Sequence, residues 1–215
     1  MTRQDRCDSF PHPRPTLLVA TGNTHKTAEF RALLGTLARI EDLSEHPNLP
    51  IPEENGQTFE ENSAIKAISA ALASGSLALA DDSGLEVDLL GGAPGVISAR
   101  YAGPDATDAD NRRKLLEEIA RHSGPDCPPP TARFRCVLTL ARPDGSLVGH
   151  WSGSVEGTIL PAEHGQGGFG YDALFLPQGY SASFAEMPAA LKNQLSHRAR
   201  ATAALLSYLE SHPLA

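Results

Sequence analysis

The sequence predicts an α/β protein built on a mixed β-sheet, and two observations carry that prediction. Short apolar runs alternate with helix-period segments in the first half of the chain, the pattern of β-α units. In the second half, two strand-like stretches flank Asp144-Gly145, a hairpin signal that makes those strands antiparallel.

The elements follow in order. Leu17-Leu18-Val19-Ala20 is a continuous apolar run suited to a buried strand. It stops at Thr21-Gly22-Asn23, after which Phe30, Leu33, Leu34 and Leu37 recur on one helical face. Thr58 with Glu61 three residues on is a capping-box start, and the helix it opens turns Ile65, Ile68 and Leu72 inward. Ser76-Leu77-Ala78-Leu79-Ala80 reads as a second buried strand and runs into Asp81-Asp82-Ser83-Gly84. Residues 108–122 form a charged amphipathic helix with Leu115, Leu116 and Ile119 facing inward. Strands over 134–141 and 147–159 come next, then a glycine-rich loop over 165–170 and a strand-like Ala173-Leu174-Phe175-Leu176. A short helix follows Pro188, and Ser196 caps a longer one. Without an internal repeat or linker, residues 16–215 read as one domain. Residues 1–15, with their three prolines and no apolar run, read as a flexible tail rather than a secretory signal.

Composition narrows the function. The formal charge is −8, and only four of the eighteen basic residues are lysine. A duplex-binding protein needs a basic face to replace counterions, so nucleic acid is not the expected partner. No apolar run approaches spanning length, so no membrane partner is expected either. The three cysteines, Cys7, Cys127 and Cys136, lack metal-ligand spacing and read as reduced thiols of a cytoplasmic protein. His46, His122, His150 and His164 have no partners at useful spacing and read as surface residues.

Four polar clusters carry chemistry. Thr21-Gly22-Asn23-Thr24-His25-Lys26 joins a strand to a helix, where backbone amides and Lys26 could receive phosphate; the spacing is not that of a Walker A loop. A tight turn with a solvated lysine gives the same pattern. Asp81-Asp82 places two carboxylates at the end of an apolar strand, a costly pairing unless a cation or donors compensate it. Magnesium takes one or two carboxylates plus water and phosphate, which matches this supply. Neighbouring strand residues point to opposite sides, so only one aspartate need face a cleft, and both could instead cap a turn. The glycine-rich loop satisfies G-x-G-x-x-G but leads into a strand, so it is no dinucleotide fingerprint. It offers Phe169 to stack on a base and Asp172 as an acceptor, unless the aromatic merely packs beneath the loop. In Lys192 to Arg198, the Ser196 cap puts His197 and Arg198 in a helix's first turn, where basic residues oppose the dipole; a solvated basic helix end is the plainer reading.

In this order, TGNTHK, TFEENSAIKA, ALADDSGLEVDLLGGAPGVISARYAG, GGFGYDALF and AEMPAALKNQLSHRARA resemble the inosine/xanthosine triphosphate pyrophosphatase family, often called Ham1-like, in its bacterial branch. The resemblance spans 17–209. It implies an elongated mixed sheet with flanking helices, two lobes around a central substrate cleft, and a homodimer. It implies Mg²⁺-dependent hydrolysis of ITP, dITP and XTP to monophosphate and pyrophosphate, a cleansing of the nucleotide pool. By motif, Thr21, Gly22, Asn23, Thr24, His25 and Lys26 would bind the triphosphate. Asp82 would be the general base and a metal ligand, Ser83 would touch substrate, and Glu53 would join Asp82 on the metal. Phe169, Gly170, Tyr171 and Asp172, with Lys192, His197 and Arg198, would hold the nucleoside. Asn62 and Lys66, one turn apart, could both face the cleft. Two features depart from the pattern: the long tail, and Leu191 where many relatives carry an acidic residue. The rival readings are a Maf-type pyrophosphatase with pyrimidine or modified-base substrates, and a nucleotide sensor without turnover.

Overall fold

The computed structural model describes residues 14–124 and 127–214; most of the expected tail, with Cys7, lies outside them. Six strands form one sheet: β1 (Thr16–Val19), β2 (Arg39–Asp42), β3 (Ala78–Val87), β4 (Thr131–Ala141), β5 (Leu147–Ile159) and β6 (Phe175–Pro177). The helices are α1 (Thr24–Leu34), α2 (Phe59–Ser74), α3 (Asp108–His122), α4 (Ala189–Leu195) and α5 (His197–Ser211). In the order β2-β1-β3-β4-β5-β6, the first three strands are parallel and the rest antiparallel, so the sheet is mixed as expected.

Strand length is what positions the site. β1 pairs with β3 only as far as Val19 and Leu79, whereas β3 runs on beside β4 to Val87. The β1 side of β3 is therefore free of β1 from Ala80 onward, until Pro94 bridges Glu86. Asp81-Asp82-Ser83-Gly84 lie inside β3, not after it; their pairing with Leu138, Val137, Cys136 and Arg135 carries the strand past the polar residues that mark its end in the sequence. Apolar cores lie on either side of this polar waist. One packs Leu17, Val19, Phe30, Leu34 and Leu79 against Leu138, Leu140 and Leu205. On the opposite sheet face, Leu18, Ala78 and Ala80 meet α2. The far core gathers Leu85, Val87, Leu115, Phe134, Tyr171 and Phe175.

The sequence misplaced some inward faces. α2 buries Phe59, Asn62, Ser63, Ala67, Ala70 and Ala71 rather than a leucine-isoleucine stripe, and Leu72 is exposed. Alanines let the helix lie close to the sheet, and Leu72 falls one step past that face. Leu37 is also exposed, because α1 ends at Leu34 and helical spacing no longer applies. Ala173 and Leu174 belong to a 3-10 turn, Asp172–Leu174, that precedes β6. β2 left no sequence signal: it is four residues long, and Ile40 is its only buried apolar side chain. His46 is not a free surface residue, since its Nε2 lies 2.8 Å from Glu41 Oε2. No helix among the described residues is long and apolar enough to cross a membrane.

Candidate functional site

Strand alternation sends the two aspartates to opposite faces of β3. Asp81 faces α1 and α5, where Arg198 Nε lies 2.9 Å from its Oδ2 and Lys26 pairs with its Oδ1. Ser83 Oγ donates to Oδ1 at 3.0 Å, and the Cys136 thiol donates to Oδ2 at 3.0 Å. Burial pushes the Asp81 carboxyl up, but Arg198 and Lys26 outweigh it and hold the group well below the usual range. Burial, reinforced by the Asp81 charge, raises the Cys136 thiol, which keeps its proton to donate.

Asp82 turns to the α2 face. Its Oδ1 accepts from Lys66 Nζ at 2.7 Å, while its Oδ2 is buried and unpartnered. Here burial prevails over Lys66, and the carboxyl lies above its ordinary value. Asp82 was expected beside Lys26 and Arg198; those cations hold Asp81 instead, although the charge of Lys26 still acts on Asp82. Glu53 is exposed, whereas Glu54 Oε2 is 3.4 Å from Lys66 Nζ. The carboxylate that the fold brings to the Asp82 side is therefore Glu54. Asn62 and Lys66, expected to face the cleft together, lie one turn apart on the Asp82 side of the sheet, and Asn62 Oδ1 accepts from the Gly56 amide at 2.8 Å with its Nδ2 buried and unpartnered.

A cleft opens between the cores, lined by Asn23, Lys26, Ser83, Phe169, Lys192 and Arg198 among others, while Asp82 lies on the other face of β3 and is not among its lining residues. At one end stands the turn into α1. Asn23 is the N-cap, and its Oδ1 accepts from the amides of His25 and Lys26 at 2.9 and 3.3 Å, so those amides are already engaged. Thr21 Oγ1 accepts from the Asn23 amide at 3.1 Å, which tightens the turn. A Cβ on Gly22 would meet nothing within 4 Å, and Thr24 is exposed as the first helical residue.

At the other end Phe169 reaches back to the α1 turn, its ring stacked on that of His25 with centroids 5.3 Å apart, and Lys192 Nζ sits 4.7 Å from the Phe169 centroid. Asp172 Oδ2 accepts from Lys192 Nζ at 2.6 Å and from the Phe169 amide at 2.9 Å, fixing the loop. Tyr171 commits its hydroxyl to the Ser98 carbonyl at 2.9 Å, a structural tie. His197 stacks on Phe134 at 4.8 Å with Nδ1 unpartnered; burial, then the Arg198 charge, hold it neutral, well below its usual range.

Glu29, which the sequence reading missed, joins the two ends. One turn beyond Lys26, it pairs with Arg198 and lies 3.1 Å from Lys192 Nζ. Ion pairs thus run unbroken through Asp172, Lys192, Glu29, Arg198, Asp81 and Lys26, alternating in sign. The spacing of Lys26 and Glu29 was the available signal. Chemically, the arrangement offers cations and a turn for an anion, an aromatic face for a flat ring, and a desolvated carboxylate able to accept a proton.

The model describing the Ham1 family matches residues 17–208. The "dITP/XTP pyrophosphatase" of Geobacter sulfurreducens is 47% identical over 197 residues, 90% of this chain and 96% of that protein. The protein of the same name from Streptococcus agalactiae serotype V is 46% identical over 195 residues; the match takes in 89% of this chain but only 58% of the relative's length. The structure of a HAM1 protein from Coxiella burnetii superposes with a TM-score of 0.81 at 38% identity, covering 92% of this chain and 99% of that one. The β3 waist, the α1 turn and the aromatic loop all fall within these matched residues, and the chain belongs to the Ham1 family.

Proposed function

We propose that the protein hydrolyses deaminated purine nucleoside triphosphates, ITP, dITP and XTP, to the monophosphate and pyrophosphate. The observation that carries this reading is the divergence of two adjacent carboxylates. Asp81 is locked as an anion by two cations, while Asp82 is desolvated, raised and left with a free oxygen. Environments that push paired acids apart mark which one exchanges protons. The names of the relatives give the substrate class.

In this mechanism Asp82 orients a water and takes its proton as the oxygen attacks the α-phosphorus. Lys66 holds Asp82 Oδ1 and leaves Oδ2 without a partner. Lys26, at the α1 turn, exchanges its pairing with Asp81 for phosphate oxygens and offsets charge on the departing pyrophosphate. Mg²⁺ is the proposed cofactor, and when bound it neutralises phosphate charge. The residues fit it: Asp82 has an orphaned acceptor, Glu54 lies on the same side, and two carboxylates suffice for an ion that keeps water and phosphate ligands. No cluster of three or more metal-ligating side chains exists among the described residues, which suits magnesium better than a caged metal.

The purine stacks on Phe169. Donors to a 6-carbonyl come from Lys192, His197 and Arg198 at the same end of the cleft. A donor there rewards hypoxanthine and xanthine and leaves adenine facing it unpaired, a difference able to discriminate by about 10⁴. The same reading takes the protein as a cytoplasmic homodimer. The test is pyrophosphate release from ITP, XTP, dITP, GTP and ATP with and without magnesium. Release from the first three in magnesium is expected; equal cleavage of ATP and ITP would overturn the assignment.

A further inference from the structure

The loop that carries Phe169 is gripped by α3 at the rim of the cleft, where Asp108 and Gly170 both line it. Gly170 has a left-handed φ of 59° and lies in no ladder, so its backbone groups need partners from elsewhere. Both come from one turn of α3. Asp108 Oδ2 accepts from the Gly170 amide at 2.7 Å, and Arg112 Nη1 donates to the Gly170 carbonyl at 2.8 Å. The spacing of four residues places the two side chains together on one helix face. Arg112 also reaches the front of the loop, with Nε 2.9 Å from Glu163 Oε1, although that N–H is not aligned as a hydrogen bond. The segment from 163 to 170 is thus held at both ends by one side chain, and between them the Gly167 amide donates to the Ala185 carbonyl at 3.0 Å.

We infer that Asp108 and Arg112 are positioning residues that set the nucleoside end of the cleft by clasping Gly170 beside Phe169. The inference rests on the reading in which Phe169 stacks on the purine. Neither residue performs a chemical step. They fix the height of the aromatic face above Lys192 and His197, and so the register in which a 6-carbonyl meets its donors. A base held in the wrong register loses binding and selectivity together, while water attack at the distant phosphorus proceeds once the nucleotide is seated.

The experiment pairs truncations with conservative changes. Asp108→Ala and Arg112→Leu remove the grip, whereas Asp108→Asn keeps an acceptor and Arg112→Lys keeps a donor. Arg113→Ala, at an exposed position on the same helix, is the control. Amide hydrogen exchange over 165–172 and steady-state kinetics with ITP and ATP are read for each. The truncations are expected to speed exchange of the loop and raise KM for ITP by about tenfold, with kcat within about threefold. They also narrow the ITP-to-ATP ratio. The conservative variants recover most of each effect, and the control matches wild type. Asp108 is exposed, so its truncation leaves the core intact. Truncations with wild-type exchange and KM would overturn the clasp, as would conservative variants no better than truncations. A wild-type protein that releases no pyrophosphate would instead defeat the proposed activity, and loop exchange would still judge the clasp.

Discussion

Arg198 and Asp81 are 117 residues apart in sequence, yet the guanidinium Nε lies 2.9 Å from the carboxylate Oδ2 in a fully buried pair. Breaking one side of such a pair leaves charges stranded in the interior. Arg198→Met takes one cation from both Asp81 and Glu29, leaving them only Lys26 and Lys192, and the expected loss is about 3–5 kcal/mol of folding stability. Urea unfolding followed by Trp151 fluorescence measures it. A variant within about 0.5 kcal/mol of wild type would show that the network contributes little to the fold.

Asp81 and Asp82 are expected to fail differently. Asp82→Asn keeps the Asp81 network and leaves Lys66 with Glu54 but removes the base, so kcat falls by about 10²–10⁴ with a smaller change in melting temperature than Asp81→Asn causes. Asp81→Asn unbalances Lys26 and Arg198, so it lowers the melting temperature first. Parallel melts and turnover assays separate the two, and equal behaviour would refute the division of labour.

Gly153 is where α5 touches β5. A Cβ there would sit inside van der Waals contact of the His197 carbonyl and the Ala201 amide, both backbone atoms that cannot yield. Gly153→Ala is expected to destabilise by about 1–3 kcal/mol and to lift His197 and Arg198 away from the cleft. Activity should fall more than stability alone explains, as seen in assays well below the melting temperature.

His197 gives a stability signature. Burial, then the Arg198 charge, depress its folded pKa well below the ordinary histidine value of 6.5. Above that value both states are neutral and the histidine exerts no pH effect. As pH falls through it, only the unfolded chain takes up the proton, and stability declines until the folded pKa is reached. His197→Gln should lose less stability than wild type between pH 7.5 and 5.5, both about these values. Identical slopes in the two proteins would show that His197 is not held neutral.

Much of this arrangement was legible in the chain. The α1 turn, the capped start of α2, the Asp144-Gly145 hairpin and the Ser196 cap are local signals, and each element formed where its signal stood. Glu54 and Cys136 escaped because their roles arise from contacts between elements distant in sequence, which periodicity does not encode, whereas the one-turn spacing from Lys26 was the only local sign of Glu29. The polar run at 81–84 read as a strand end, since nothing local reveals that β4 would carry it onward. Gly153 was likewise silent: a small residue in a strand shows its purpose only when a helix lies against it.

The division between the two aspartates depends on counting along β3. Ten consecutive partners on β4, from Ala78 with Ala141 to Val87 with Ala132, hold that count. Inserting or deleting one residue ahead of Asp81 would swap the sides of the pair, handing the locked position to one acid and the open one to the other. The chemistry of this protein is thus stored partly as parity, an odd or even place in a strand, and point substitutions leave it untouched where a single-codon insertion or deletion would not.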